Sequence, residues 1–260
     1  MANTVYANKV IEAKAKDLLT TKVNTRSLMT IDNELAQEAG MTKTINTYTY
    51  TGTAEEVAAG KGNTNRGSIA YVGNDYTVKM VQQVFDYTDE DFMKDPSIVD
   101  NGVTGATQTM VNKMTADFVA ECGKATVSHE FTAFGYDAIV DGISKLNVED
   151  ESQLFIVIPN AWKADLRKDA DYVAARMGEV VYNGQVGTVA GLPVIATNAL
   201  NTVNNGYVMS KEAVKLFMKK DVEVEQDRDK DTRTNSIYLR SAYLVALVDA
   251  TKICRLYPQA

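Results

Sequence analysis

At 260 residues, 45% of them hydrophobic, the chain is long enough for one large domain or two ordinary ones and can bury a real core. A net charge of −7 without any long Lys or Arg block argues against a dedicated nucleic-acid binder, which needs a basic stripe for its phosphate contacts. Two cysteines and one histidine exclude a disulfide framework and a His-rich metal site, and no stretch approaches the ~20 apolar residues of a membrane span.

The first elements in chain order are weak. Between Val5 and Leu19 the apolar positions Val5, Tyr6, Val10, Ile11, Leu18 and Leu19 are spread thinly among Lys, Asn and Thr, so a helix here carries only a narrow stripe. Residues 1–41 therefore read as an extended arm with a helical piece. From Ile45 to Tyr50 a period-two pattern rich in Thr and Tyr predicts a strand, and Ser68–Tyr87 is its matching strand. The connection between them has Val57 as its one large apolar side chain, and so little with which to bury itself. Connections of that length inside compact domains are uncommon and tend to be functional or disordered. A two-stranded arm is marginal alone and exposes its edges, which predicts that it rests on another molecule.

After the acidic residues Asp89, Glu90 and Asp91, the residues Pro96 and Ser97 are good helix-entry positions. Val103, Thr107, Met110, Met114, Phe118 and Cys122 follow at three- and four-residue steps and predict one long helix. Gly102 and Gly105 weaken its first part, and Gly123 stops it. Met110, Met114 and Phe118 are its expected core contacts, with Phe118 packed on a later strand. Cys122 and Cys254 lie in apolar segments and read as buried free thiols.

Past Thr126 the pattern alternates more quickly. Tyr136, Ile139, Val140, Ile143 and Leu146 form a helical face, and Leu154–Ile158 suits a strand buried on both sides. Pro159 and Asn160 open a helix through Trp162 and Leu166; the strand LPVIA and the sequence YVMS-KEAVKLFM follow. In the last third, the glycine-flanked strand of GQVGTVAGLPVIATNAL, Gly184 to Leu200, leads after a short helix into the charged turn at Asp227-Arg228-Asp229. A long alternating strand then runs from Ser236 to Val248.

Enzyme chemistry finds little support. The nearest phosphate-loop pattern, around Gly60 and Lys61, has Glu55 where its first glycine belongs and Gly62 where magnesium needs Ser or Thr. Gly184, Gly187 and Gly191 are too widely spaced for a dinucleotide fingerprint and precede a strand instead of following one. A catalytic triad would have to use His129, in a polar stretch between two helices. Asp227, Asp229 and Asp231 alternate with Arg228, Lys230 and Arg233, which points to an intersubunit or local salt-bridge network rather than a cation site.

The order of these elements, and the blocks Gly184–Leu200 and Val222–Tyr257 in particular, resemble the major capsid proteins of tailed bacteriophages, the Hong Kong 97 type of shell subunit. The resemblance implies an α+β fold with an N-terminal arm (1–41), an extended β-hairpin loop (42–75), a peripheral domain with a long spine helix (76–126 and 222–260) and an α/β axial domain (127–221). It implies a structural protein without cofactors, catalysis or membrane attachment, made in the host cytoplasm and built into the virion. Copies of the chain would form the pentamers and hexamers of an icosahedral head around double-stranded DNA, without sequence-specific binding. Scaffolding, portal and decoration proteins are the further partners it suggests. With Met1 followed by no long helical leader, assembly would need a separate scaffold or none.

Candidate intersubunit contacts are Glu55, Glu56, Lys61 and Arg66 in the extended loop and Asp227, Arg228, Asp229 and Arg233 at the charged turn. Some members of the family join loop lysine to a neighbour's asparagine through an isopeptide bond, promoted by a glutamate. Here Lys61 and Asn235 stand at the matching places, but the glutamate position holds Ala242, so noncovalent contacts are expected. An encapsulin-type nanocompartment of the same fold and a small α/β enzyme are the alternatives.

Overall fold

A computed structural model describes residues 8–21, 25–36, 39–171 and 187–259. Val5, Tyr6 and Gly184, and the side chains of Leu18 and Leu19, lie outside the described part. The first half of the chain forms α1 (Asn8–Thr21), β1 (Thr30–Asp32), β2 (Thr42–Thr51), β3 (Ser68–Thr77), β4 (Lys79–Thr88), α2 (Asp89–Lys94), α3 (Ile98–Cys122), β5 (Val127–Phe131) and α4 (Tyr136–Leu146). Then come β6 (Leu154–Pro159), α5 (Lys163–Lys168), β7 (Thr188–Val189), β8 (Leu192–Thr197), β9 (Gly206–Ser210), β10 (Val214–Asp229), β11 (Thr234–Leu247) and β12 (Ile253–Pro258).

Among the described residues these strands make three sheets. One is four-stranded in the order β1-β10-β11-β4, a second is six-stranded in the order β5-β12-β9-β6-β8-β7, and β2 pairs with β3 alone. Helix α3, roughly 37 Å long at ~1.5 Å per residue, joins the first two. Its first half, Val99 to Val111, packs on Val222, Val224, Ile237 and Leu239 of the four-stranded sheet. Its second half, Met114 to Cys122, closes a core shared by Leu216 and Tyr243 of that sheet and Val157, Tyr207 and Met209 of the other. Gly102 sits inside the helix, where a glycine costs about 1 kcal/mol, because a Cβ there would lie 2.3 Å from the Phe85 ring.

Strand β6 is buried along its whole length, as a continuous apolar run requires. Phe155 and Val157 face the α3 side, whereas Leu154, Ile156 and Ile158 face α4, whose Ile139 and Ile143 complete the second core. Among the described side chains of α1, Ile11 and Ala15 reach the α3 core, while Val10 stays 57% exposed. At the β7–β8 turn Ala190 and Gly191 have φ of 49° and 80°, the left-handed pair a tight hairpin needs.

Several expectations are corrected. Ser68–Tyr87 is two strands, because Val78 drops into a core and β4 leaves the hairpin to pair with β11. The short helix expected before the charged turn is absent. Lys211–Ala213 is a turn, and β10 begins at Val214, with Leu216 and Met218 packed on one face and Phe217 on the other. An apolar run flanked by two pairing strands satisfies its backbone in a sheet, which overrides the helical reading. The polar stretch around His129 is a strand, β5. The division expected at 221/222 falls inside β10, and β12, expected within the peripheral domain, pairs with β5 and β9 in the six-stranded sheet.

Candidate intersubunit contact sites

The hairpin is fastened at its root and free beyond it. Ile45 and Val78 are buried with Phe217, Ala242, Leu244 and Ala246, and the Val78 N–H donates to the Met41 carbonyl at 2.7 Å. The Lys43 ammonium lies 3.2 Å from Glu34 and 5.8 Å from the Phe217 ring centre. Lys124 covers Tyr76 from 5.4 Å. Farther out, cross-strand pairing places Tyr48 opposite Tyr71 and Tyr50 opposite Ile69, all four on one face of the ribbon. They are 65–69% exposed, and the Tyr48 and Tyr71 ring centres are 6.3 Å apart. The period-two spacing signals this face in the sequence; its lack of any cover does not show there.

The loop between β2 and β3 is organised by its own polar groups. The Glu55 carboxylate accepts the Thr64 N–H and hydroxyl, which holds its pKa below the usual range. Asn65 donates to the Thr53 carbonyl at 2.8 Å. Glu55 is thus engaged inside the loop, whereas Glu56, Lys61 and Arg66 are exposed.

The charged turn is largely a local network. The Thr88 hydroxyl caps α2 by accepting the Asp91 N–H at 3.1 Å, which places Asp89 and Glu90 beside the β10–β11 turn. Asp89 accepts a hydrogen bond from Asn235 at 2.8 Å and pairs with Arg228; these two, in that order, lower its pKa. Arg233, at φ 56°, pairs with Glu90 at 2.9 Å. The Asp227 carboxylate accepts the Arg228 N–H, and that of Asp229 accepts the Asp231 N–H, so both carboxylates brace the turn while remaining exposed.

In the spine, Met110, Met114 and Phe118 are 4%, 6% and 1% exposed, as core positions must be. A connection the sequence did not suggest lies beside them. The Asp117 carboxylate accepts the Tyr243 hydroxyl at 3.0 Å and the Lys113 ammonium at 2.7 Å, with Lys79 at 3.6 Å. It thereby ties the helix, β11 and the hairpin root together. Burial and this neighbouring carboxylate raise the Tyr243 pKa. Ala242 is buried under the hairpin root, and the carboxylate that touches Asn235 is Asp89.

Little of this geometry is catalytic. His129 lies 3.6 Å from Asp141, with no nucleophile in the pair. Cys122 and Cys254 are buried free thiols; burial pushes Cys254 up to about 11 and Cys122 higher, so neither is nucleophilic near neutrality. Among the described residues no group of three or more His, Cys, Asp or Glu could hold a metal, and no helix is long and apolar enough to cross a membrane.

The family model described as phage capsid protein matches residues 71–256. The chain is 25% identical over 247 residues to the major capsid protein of Staphylococcus phage phiMR11, covering 90% of this chain and 87% of that one. Its fold superimposes on the capsid structure of cyanophage P-SCSP1u with TM-score 0.70 at 12% identity, covering 89% and 86% of the two chains. It also superimposes on the virus-like particle from Pyrococcus furiosus with TM-score 0.63 at 11% identity, covering 95% and 98%.

Proposed function

The chain belongs to the phage capsid protein family, and we propose that its free-standing hairpin is the part that holds neighbouring copies together in the shell. Members of this family are structural, and this chain is a major capsid protein with the Hong Kong 97-like fold, a component of an icosahedral virion shell rather than an enzyme. The likeness to the archaeal particle concerns the fold alone; the family match and the curated relative favour a phage shell over an encapsulin.

One observation carries the proposal: a ten-pair ribbon whose one face bears four large apolar side chains about two-thirds exposed, fixed to the body at one end. A two-stranded ribbon is marginally stable in water, so its stability in the virion comes from what it lies on. In rings of five and six, the surface beside each subunit is another subunit. The four-stranded sheet with α3 serves as the peripheral domain, and the six-stranded sheet with α4 as the axial one. Glu56, Lys61 and Arg66 at the hairpin tip, with Asp227 and Asp229 at the charged turn, are the polar contacts of this overlap. Arg228, Arg233 and Glu55 hold their own loops in shape. The subunit is made in the host cytoplasm, and its shell encloses double-stranded DNA without gripping it, as its negative charge suits; portal and scaffolding proteins are its other partners.

Purified protein examined by size exclusion and electron microscopy should form closed particles, with the hairpin protected from limited proteolysis in particles and cut in dissociated subunits. Elution as a small oligomer would refute assembly by this chain. Equal cleavage in both states would refute the role given to the hairpin.

A further inference from the structure

The four-stranded sheet has two unlike edges. On one side, among the described residues, β1 covers β10 at Lys215–Phe217 alone, and the stretch beyond carries Lys219, Lys220, Asp221, Glu223, Glu225 and Asp227. Charges of that density keep a strand from being joined by another. On the other side β4 pairs with β11 in unbroken register from Lys79 to Thr88, and among the described residues no further strand pairs with it. Its run from Met80 to Phe85 holds no charge, proline, glycine or bulge, and Met80 is 63% exposed. This edge lacks the devices that prevent strand addition.

Beside it lies a groove of about 350 Å³, walled by Met80 to Gln83 on one side and by Thr109, Met110 and Lys113 of α3 on the other. Met80, Val81 and Met110 give it apolar surface. At one end the Lys113 and Lys79 ammonium groups, 2.7 and 3.6 Å from Asp117, share the same carboxylate oxygen, and the Tyr243 hydroxyl occupies the other oxygen. Among the described residues Asp117 is the only carboxylate that pairs with either lysine, and both side chains are at least half exposed. Two cations against one anion leave a positive charge over at that end. Lys79 and Val81 point to the α3 face of the sheet, as Phe85 and Tyr87 do farther along. A strand laid along β4 sends every second side chain to that face. A carboxylate opposite Lys79, followed two residues on by an apolar side chain opposite Val81, would match the groove in both charge and surface.

We propose that the β4–α3 groove binds an extended segment of a protein other than this subunit, added to β4 as a further strand, with an acidic side chain against Lys79 and Lys113 and an apolar one against Val81 and Met110. The ribbon of a neighbouring copy does not fit this pattern, because residues 44–54 and 67–74 contain no acid. The labelled probe Thr-Glu-Thr-Val-Thr-Val-Thr, followed by fluorescence anisotropy, should bind both dissociated subunits and assembled particles. It should bind about tenfold more tightly than the same peptide with glutamine in place of glutamate. Hydrogen exchange with the probe bound should slow within residues 80–84 and stay unchanged within 219–227. Lys113→Gln should narrow the preference for the glutamate probe, and the comparison of the two probes on the unaltered protein stands if that variant does not fold. Absence of binding, equal binding of both probes, a preference untouched by a folded Lys113→Gln variant, or protection only outside β4 would overturn the proposal. Residues 80–84 already protected in particles, with the probe binding dissociated subunits alone, would give the groove to a second copy and overturn it as well.

Discussion

Phe118 and Asp89 show two ways in which a single side chain matters in this molecule. Phe118 is 1% exposed in the core that α3 shares with both sheets, and it has no polar function. Phe118→Ala should cost about 3–5 kcal/mol, a large share of an ordinary domain's net stability. Chemical denaturation measures this directly, and an unchanged midpoint would place the ring outside the core. Asp89 works through charge. Its folded pKa is depressed, first by the Asn235 hydrogen bond and then by Arg228, so its contribution is present above the unfolded carboxylate value of about 3.9 and is lost as pH falls through the folded value. Asp89→Asn should therefore lower the melting temperature at pH 7, and the gap to wild type should close as the pH drops below about 4. A gap independent of pH would mean that the side chain acts by packing. Nothing near Asp89 in sequence announces this role, since Asn235 is 146 positions away.

At the scale of elements, the hairpin separates folding from assembly. Thr51–Ser68 contributes Val57 as its one large apolar side chain, and none of its residues belongs to a buried cluster. Replacing the stretch with an Asn-Gly turn should leave the melting temperature within a few degrees of wild type and abolish particle formation, as read by light scattering. Loss of the folded subunit, or shells of normal stability, would contradict this. Elements with a clear period were legible in the sequence: the Val103–Cys122 stripe gives α3, and the apolar run at Leu154 gives β6. The split at Val78 and the start of β10 were not. In both places the deciding factor is a strand pairing with β11, a tertiary choice that a local pattern does not carry. The candidate contact residues divide similarly. Exposed charges at the loop tip could be read from composition, but the pairing of Arg228 and Arg233 with α2 depends on the fold.

For the molecule as a whole, the same contacts argue that the shell is held without covalent bonds. Asp89 is the carboxylate at Asn235, but a carboxylate held ionised by an amide and a guanidinium is a poor base for a lysine ammonium. Particles boiled in reducing detergent should run as one band of monomer mass; a ladder, with Lys61 joined to Asn235 by mass spectrometry, would show that Asp89 does act as the base. The four-stranded sheet has a further consequence, in time. Strand β4 ends at Thr88, and its partner β11 does not begin until Thr234. At ~5–20 residues per second, roughly 7–30 s of translation separate the two. A ribosome-bound chain thus carries its exposed ribbon long before the sheet that anchors it exists, so a subunit becomes competent to join a growing shell only once β11 has been made.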